Sequence, residues 1–229
     1  MENVTDRLRN PFGVAYPCED GPPVASYGDA NADVHLIGDH PGVHGGRESG
    51  VPFDAPAVAP LVDVLRAVGL VAGAVPTPTP AGDDGTDGSA AAAPYVPRNL
   101  FCSYLHACQT DGRPTEAAYD RLEPSFDAEL RAVAAHVLVP VGDRALAHVL
   151  AAYTSKGHRL PADAAALHAR ELPGRGFLVV PVREPAAWTD GDGHADRLRE
   201  RLAAVLDTDY RRTADLGRFF PGDDAYLVR

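Results

Sequence analysis

The sequence predicts a three-layer α/β/α sandwich built around a four-stranded parallel sheet. Two observations carry this. Residues 33–38, 99–105, 136–142 and 177–183 are almost wholly apolar and end in polar, Gly or Pro residues, as strands buried on both faces do. Helical apolar spacing lies between these runs, and strands that alternate with helices build a parallel sheet covered on both sides.

In chain order, residues 1–23 read as an N-terminal segment whose first ten residues, Met1 to Asn10, are polar and mixed in charge, unlike a signal or transit peptide. The core domain is expected over residues 24–206. After the first strand, Asp54 is placed to cap a helix whose Val58, Leu61, Val62, Leu65 and Val68 share one face, with Gly69 stopping it. Residues 72–94 are rich in Ala, Gly, Pro, Thr and Asp and lack an apolar period, so a flexible surface insertion is expected. Residues 128–135 lead as a helix into the third strand, and Asp143 is placed to cap a helix running through Leu150. Leu198, Leu202, Val205 and Leu206 mark a last amphipathic helix. Residues 207–229 form an acidic tail in which Phe219, Phe220, Tyr226 and Leu227 are available to pack back.

Composition narrows the setting. No apolar run approaches the roughly 20 residues of a membrane span, which together with the N-terminus predicts a cytoplasmic protein. Three cysteines, Cys18, Cys102 and Cys108, give an odd count and no disulfide framework, in keeping with a reducing interior. The net charge is −11, Lys156 is the sole lysine, and Asp heavily outnumbers Glu. Because the acids are scattered rather than blocked, this reads as adaptation to high salt. An acidic pI argues against a nucleic-acid ligand. In molar salt, however, counterion release contributes little, and stacking, hydrogen bonds and local Arg contacts must supply the affinity.

Two loops carry the functional reading. The first strand runs into Gly38-Asp39-His40-Pro41-Gly42, with Gly50-Val51-Pro52-Phe53 before the next helix. The fourth runs Val179-Val180-Pro181-Val182-Arg183-Glu184-Pro185-Ala186-Ala187. Both leave the carboxyl ends of parallel strands, where ligands bind in open α/β sheets. Together and in this order they resemble the uracil-DNA glycosylase superfamily, especially its iron–sulfur branch. That branch has a first motif G-E-A-P-G followed by G-x-P-F, and a last motif V-V-P-x-x-H-P-A-A. Between them, Arg98-Asn99-Leu100 is similar to the strand carrying the family's uracil-reading Asn. Pro114-Thr115 and Leu122-Glu123-Pro124-Ser125-Phe126 are similar to its intervening helix–strand unit. The resemblance covers residues 24–206.

What the resemblance implies is hydrolysis of the N-glycosidic bond of uracil, or of another deaminated base, in DNA that is single-stranded or has an extruded base. Phe53 would stack on the base. Asn99 would read it, since an amide offers one donor and one acceptor. Asp39 would orient water and oppose the positive charge on the sugar. Gly38, Pro41, Gly42, Arg183, Pro185 and Ala186 would shape the walls. The family's leaving-group donor is His, and Glu184 stands in its place. An ionised Glu only accepts hydrogen bonds, so three readings stay open. Glu184 is protonated in a desolvated pocket, Arg183 or His40 donates instead, or activity is weak or absent. Two other functions remain beside the enzyme: a binding module for single-stranded DNA or a flipped base, and a hydrolase acting on nucleosides or nucleotides. A monomer is expected.

The branch's cluster needs four thiolates. Here Cys18 stands alone and Leu122 occupies the place of the last cysteine, so no iron–sulfur cofactor is expected. No metal is expected either. His40 and His44 stand at i, i+4, but that spacing needs a helix, and Pro41, Gly42, Gly45 and Gly46 argue against one.

Overall fold

The computed structural model describes residues 7–73, 94–157 and 159–211. One sheet has six strands in the order β1-β5-β2-β6-β8-β7. They are β1 (Tyr27–Gly28), β2 (Val34–Gly38), β5 (Leu100–Tyr104), β6 (Val137–Pro140), β7 (Leu172–Pro173) and β8 (Leu178–Val179). The four parallel strands expected from the sequence, β5, β2, β6 and β8, form its centre. Antiparallel β1 and β7 are added at the edges, which corrects the expected count of four. Each edge strand is two residues long, too short to leave a period in the sequence.

Every residue of β2, β5 and β6 is buried, and their side chains alternate between two faces. Leu36, Val139 and Val180 pack with Leu61 and Leu65 of α2 (Ala59–Ala67) and with Leu198 and Leu202 of α5 (His194–Leu206). Ile37, Leu138 and Val179 pack on the other side with Phe126 and Leu130 of α3 (Glu116–Val133) and Leu146 and Val149 of α4 (Gly142–Tyr153). Each such side chain contributes about 1.5–3 kcal/mol by leaving water, which makes the alternation the main force fixing the register.

The connections place a crevice. From β2 the chain passes through α2 to β5 on one side, whereas from β6 it passes through α4 to β8 on the other. Loops that depart in opposite directions from adjacent parallel strands leave a gap at their carboxyl ends. The loops after β2, β6 and β8 surround that gap.

Local expectations are corrected in several places. Asp54 does not cap α2, whose N-cap is Val58 with no side-chain bond. Its carboxylate instead accepts from the Gly46 N–H and the Ser49 hydroxyl, tying the first loop together. Asp143 lies in the first turn of α4 but accepts from the Ala164 N–H (2.8 Å). Helix α3 begins at Glu116, well before residue 128, with Thr115 capping the Ala118 N–H at 3.3 Å. Its internal Pro124 hid the first half from the sequence reading. The expected insertion lies mostly outside the described residues, but its ends pair as β3 (Val71–Gly73) and β4 (Tyr95–Pro97). Of the tail, residues 207–211 are described. There Tyr210 and Arg211 bond Asp33, while Phe219, Phe220, Tyr226 and Leu227 lie outside the described residues.

The cysteine reading is corrected too. Cys18 and Cys108 form a disulfide, with Cα atoms 5.5 Å apart. Residues 22–24 run antiparallel to residues 107–109, with Val24 N–H on Ala107 O (2.8 Å) and Gln109 N–H on Pro22 O (3.1 Å). That pairing brings together thiols 90 residues apart, which no spacing in the sequence announces. No described helix is long and apolar enough to cross a membrane.

Candidate active-site cleft

A cavity of about 690 Å³ opens over the carboxyl ends of β2, β6 and β8, and Asp39, His40, Gly42, Arg183 and Glu184 all line it. Asp39 leaves β2 with its backbone held on both sides. Its N–H donates to His44 Nδ1 (3.2 Å), and its carbonyl accepts from the His106 N–H (3.0 Å). Its carboxylate Oδ1 accepts from the Tyr119 hydroxyl. Burial, and then the Asp39 charge, push the Tyr119 phenol well above its ordinary range, so it stays a donor. The Arg144 guanidinium lies 4.1 Å over the Tyr119 ring.

His40 caps the one-turn helix α1 (Pro41–His44), and its Nδ1 accepts from the Gly42 N–H at 3.1 Å. That bond puts the ring proton on Nε2. Burial lowers the His40 pKa, which keeps the ring neutral. Nε2 has no partner among the described residues, and the ring lines the cavity. Glycine is required at position 42, because a Cβ there would lie 2.7 Å from His40 Cε1. The helix α1 corrects the expectation that Pro41 and Gly42 forbid one. Proline sits at its first position, where the missing N–H costs nothing.

His44, passed over in the sequence except as a metal ligand, is fully buried. Because its Nδ1 accepts from Asp39, its Nε2 carries the proton and donates to Glu184 Oε2 at 3.1 Å. Glu184 is thus held as an acceptor beside Gly142, whose φ is +80° and whose Cβ would come within 3.0 Å of Oε2. The second oxygen, Oε1, is buried and has no hydrogen-bond partner among the described residues. Three carboxylates line the cleft, and each has a donor: Tyr119 on Asp39, His44 on Glu184 and the Ala164 N–H on Asp143.

Two expected residues are not in the cleft. Phe53 is 1% exposed, with φ +60°, and His44 stacks on it at 5.2 Å and 23°. Its ring also packs on Gly38, where a Cβ would lie 2.7 Å from Phe53 Cζ and from Tyr104. The face expected to hold a base is therefore covered by His44. Asn99 precedes β5 at the opposite end of the parallel strands, where its Oδ1 accepts from the Asp33 N–H (2.7 Å). It belongs to the amino end of the sheet and cannot read a ligand in the cleft.

The remaining expected residues shape the loops. Pro41 is buried at the start of α1, and Pro185 at the start of a 3-10 turn, Pro185–Ala187. Ala186 is exposed, and its neighbour Ala187 lines the cavity instead. Arg183 turns one guanidinium nitrogen to His194 Nε2 (2.9 Å) while bordering the cavity. Arg47, Arg113 and Arg144 border it as well and were missed in the sequence, because they come from three separate segments. A neighbouring cavity of about 540 Å³ between α3 and α4 shares Arg113 and Arg144 but is lined by Glu116, Asp120 and Glu123.

The thiols do not fit the cluster of the iron–sulfur branch. Cys18 and Cys108 are bonded to each other, and Cys102 is fully buried within β5, where burial pushes its thiol up to about 12. The chain has no fourth cysteine. Among the described residues, no group of three or more His, Cys, Asp or Glu side chains is placed to hold a metal ion.

A family model described as the uracil DNA glycosylase superfamily matches residues 25–205. No curated protein matches the chain.

Proposed function

The chain belongs to the uracil-DNA glycosylase superfamily, whose model covers most of it, and from that premise we propose that its cleft hydrolyses the N-glycosidic bond of uracil or another deaminated base in DNA. The observation that carries this reading is the pairing of the Asp39 carboxylate with a neutral His40 imidazole, whose Nε2 has no partner among the described residues, on the lining of the same cavity. Cleavage of the C1′–N bond sends the electron pair onto the base and leaves positive charge on the sugar. Asp39 opposes that charge and orients a water, whose oxygen bonds C1′ as its proton passes to the carboxylate. His40 donates to the carbonyl oxygen on which the departing base carries its negative charge, as an oxyanion hole does. His40 thus takes the task that the family gives to the position of Glu184.

Three arginines around the mouth, Arg47, Arg113 and Arg183, supply local positive charge to a chain of net charge −11, while the fourth, Arg144, is paired with Glu116. They suit phosphates of a single strand, or of a duplex with an extruded base, at high ionic strength. We further propose that the protein works without an iron–sulfur cluster, as a monomer, in the cytoplasm of a salt-adapted cell.

A second reading is a DNA-binding module of the same fold without efficient cleavage. The covered face of Phe53 and the remote Asn99 favour it. Incubation with a uracil-containing oligonucleotide in molar potassium chloride, followed by alkaline scission of abasic sites, separates the two. Strand breaks that vanish in Asp39→Asn support the enzyme. Binding without breaks at any base supports the module.

A further inference from the structure

We infer that Glu184 is the residue that tells a deaminated base from its amino parent, uracil from cytosine and hypoxanthine from adenine, by accepting a hydrogen bond from the ring nitrogen beside the base carbonyl. This rests on the glycosylase reading above. With Asn99 at the far end of the sheet, no Asn or Gln side chain lines the cleft among the described residues. The cleft does have, in two residues that line one cavity, a donor, His40 Nε2–H, and an acceptor, the Glu184 carboxylate. Both roles are locked by bonds on the other side of each group. The Gly42 N–H occupies His40 Nδ1, and the buried His44 presents only a donor to Glu184 Oε2. Oε1 is buried and has no donor among the described residues, while the Glu184 side chain is about one-third exposed, so the carboxylate carries an unmet acceptor beside the cavity.

Deamination changes a base in the terms this pair can read. Cytosine and adenine present a bare ring nitrogen, an acceptor, next to their amino group. Uracil and hypoxanthine present a ring N–H, a donor, next to a carbonyl. Against Glu184 the N–H completes the carboxylate's bonding, whereas the bare nitrogen brings two acceptors together and leaves both desolvated. Sites built to bond a polar group reject an analogue lacking it by as much as about 10⁴-fold. The reading is indifferent to ring size, so uracil and hypoxanthine are both accepted, and thymine and guanine, which carry the same N–H beside a carbonyl, are not told apart from them by this pair. His44 acts through Glu184 and is a positioning residue.

The test uses the full chain and oligonucleotides whose target nucleotide carries a 2′-fluoro group, which slows cleavage so that binding is read alone. Deoxyuridine, deoxycytidine, deoxyinosine and deoxyadenosine versions are compared in molar potassium chloride. The wild type is expected to prefer each deaminated base over its parent by at least about tenfold, and Glu184→Gln to bring both ratios near one, since its amide can turn a donor to the bare nitrogen. His44→Phe keeps a ring on Phe53, removes the donor, and is expected to lower the ratios by a smaller factor. It carries the test if Glu184→Gln does not fold. Wild-type ratios near one, or ratios unchanged in the variants, overturn the inference while leaving the hydrolysis of a plain uracil oligonucleotide standing. Absence of that hydrolysis overturns the glycosylase reading, and the inference falls with it.

Discussion

The two ends of the parallel sheet each hold an aspartate at the edge of β2, and the two aspartates are treated differently. At the amino end, Asp33 accepts from Tyr210 Oη (2.8 Å) and from two nitrogens of Arg211 (3.1 and 2.7 Å), while its N–H is taken by Asn99. At the carboxyl end, Asp39 receives Tyr119 on one oxygen, and its neighbour His40 keeps Nε2–H unpartnered among the described residues. One end is a strut in which every valence is spent. The other is a site that keeps valences over for something not yet bound. The difference separates a stabilising network from a reactive one more sharply than the residue types do, since both contain carboxylates, tyrosines and arginines.

The largest expected effect comes from the open end. Asp39→Asn keeps an oxygen for the Tyr119 hydroxyl but removes the charge, and excision of uracil should fall by about 10²–10⁴-fold with an unchanged melting temperature. A variant that excises normally would show that the spare valence is idle. Next is His40→Ala, expected to cost roughly 10²-fold in rate. In the wild type, burial holds the His40 pKa below the ordinary 6.5. The ring therefore stays neutral as pH falls through that value, and the rate should be flat there and drop only at lower pH, where protonation would break the Gly42 bond. A rate that halves near pH 6.5 would contradict this.

The closed end makes the opposite prediction. Asp33→Ala strips the acceptor from Tyr210 and Arg211 and should cost about 1–3 kcal/mol of stability, a loss visible as a lower melting temperature, with excision unchanged. Burial alone would raise the Asp33 pKa, but Arg211 and Tyr210 outweigh it and hold the group below its ordinary 3.8. The sign follows: a depressed carboxylate stabilises the fold above pH 3.8, and that contribution is lost as pH falls through the lowered value. A loss of excision in Asp33→Ala would erase the distinction between the two ends.

The sequence made the sheet's centre legible because continuous apolar runs have one common explanation, strands covered on both faces. Its edges were illegible, since two residues of β1 or β7 carry no period. In the site, Asp39 and Glu184 were legible through the loops that follow apolar runs. Asn99 was not, because an Asn that opens such a run marks where a strand begins, and in a parallel sheet that is the wrong end. Phe53 failed for another reason. Its position in the chain says that a ring arrives near Gly38, but which side chain then covers that ring depends on His44, a contact made only in three dimensions. His44 itself was visible and was tested only for metal binding, whereas its partner is a carboxylate 140 residues away.

That hydrogen bond between His44 and Glu184 also constrains how the sequence can change. Replacing Glu184 alone by the family's His would put a single neutral nitrogen, in place of a carboxylate, opposite the His44 Nε2–H, and would fix the new ring's proton on its other nitrogen. Replacing His44 alone would leave a carboxylate against Gly142 with no donor. Neither single step is neutral, so the two positions are expected to be inherited as a pair. Among natural variants of this cleft, a donor at position 44 should accompany an acceptor at position 184.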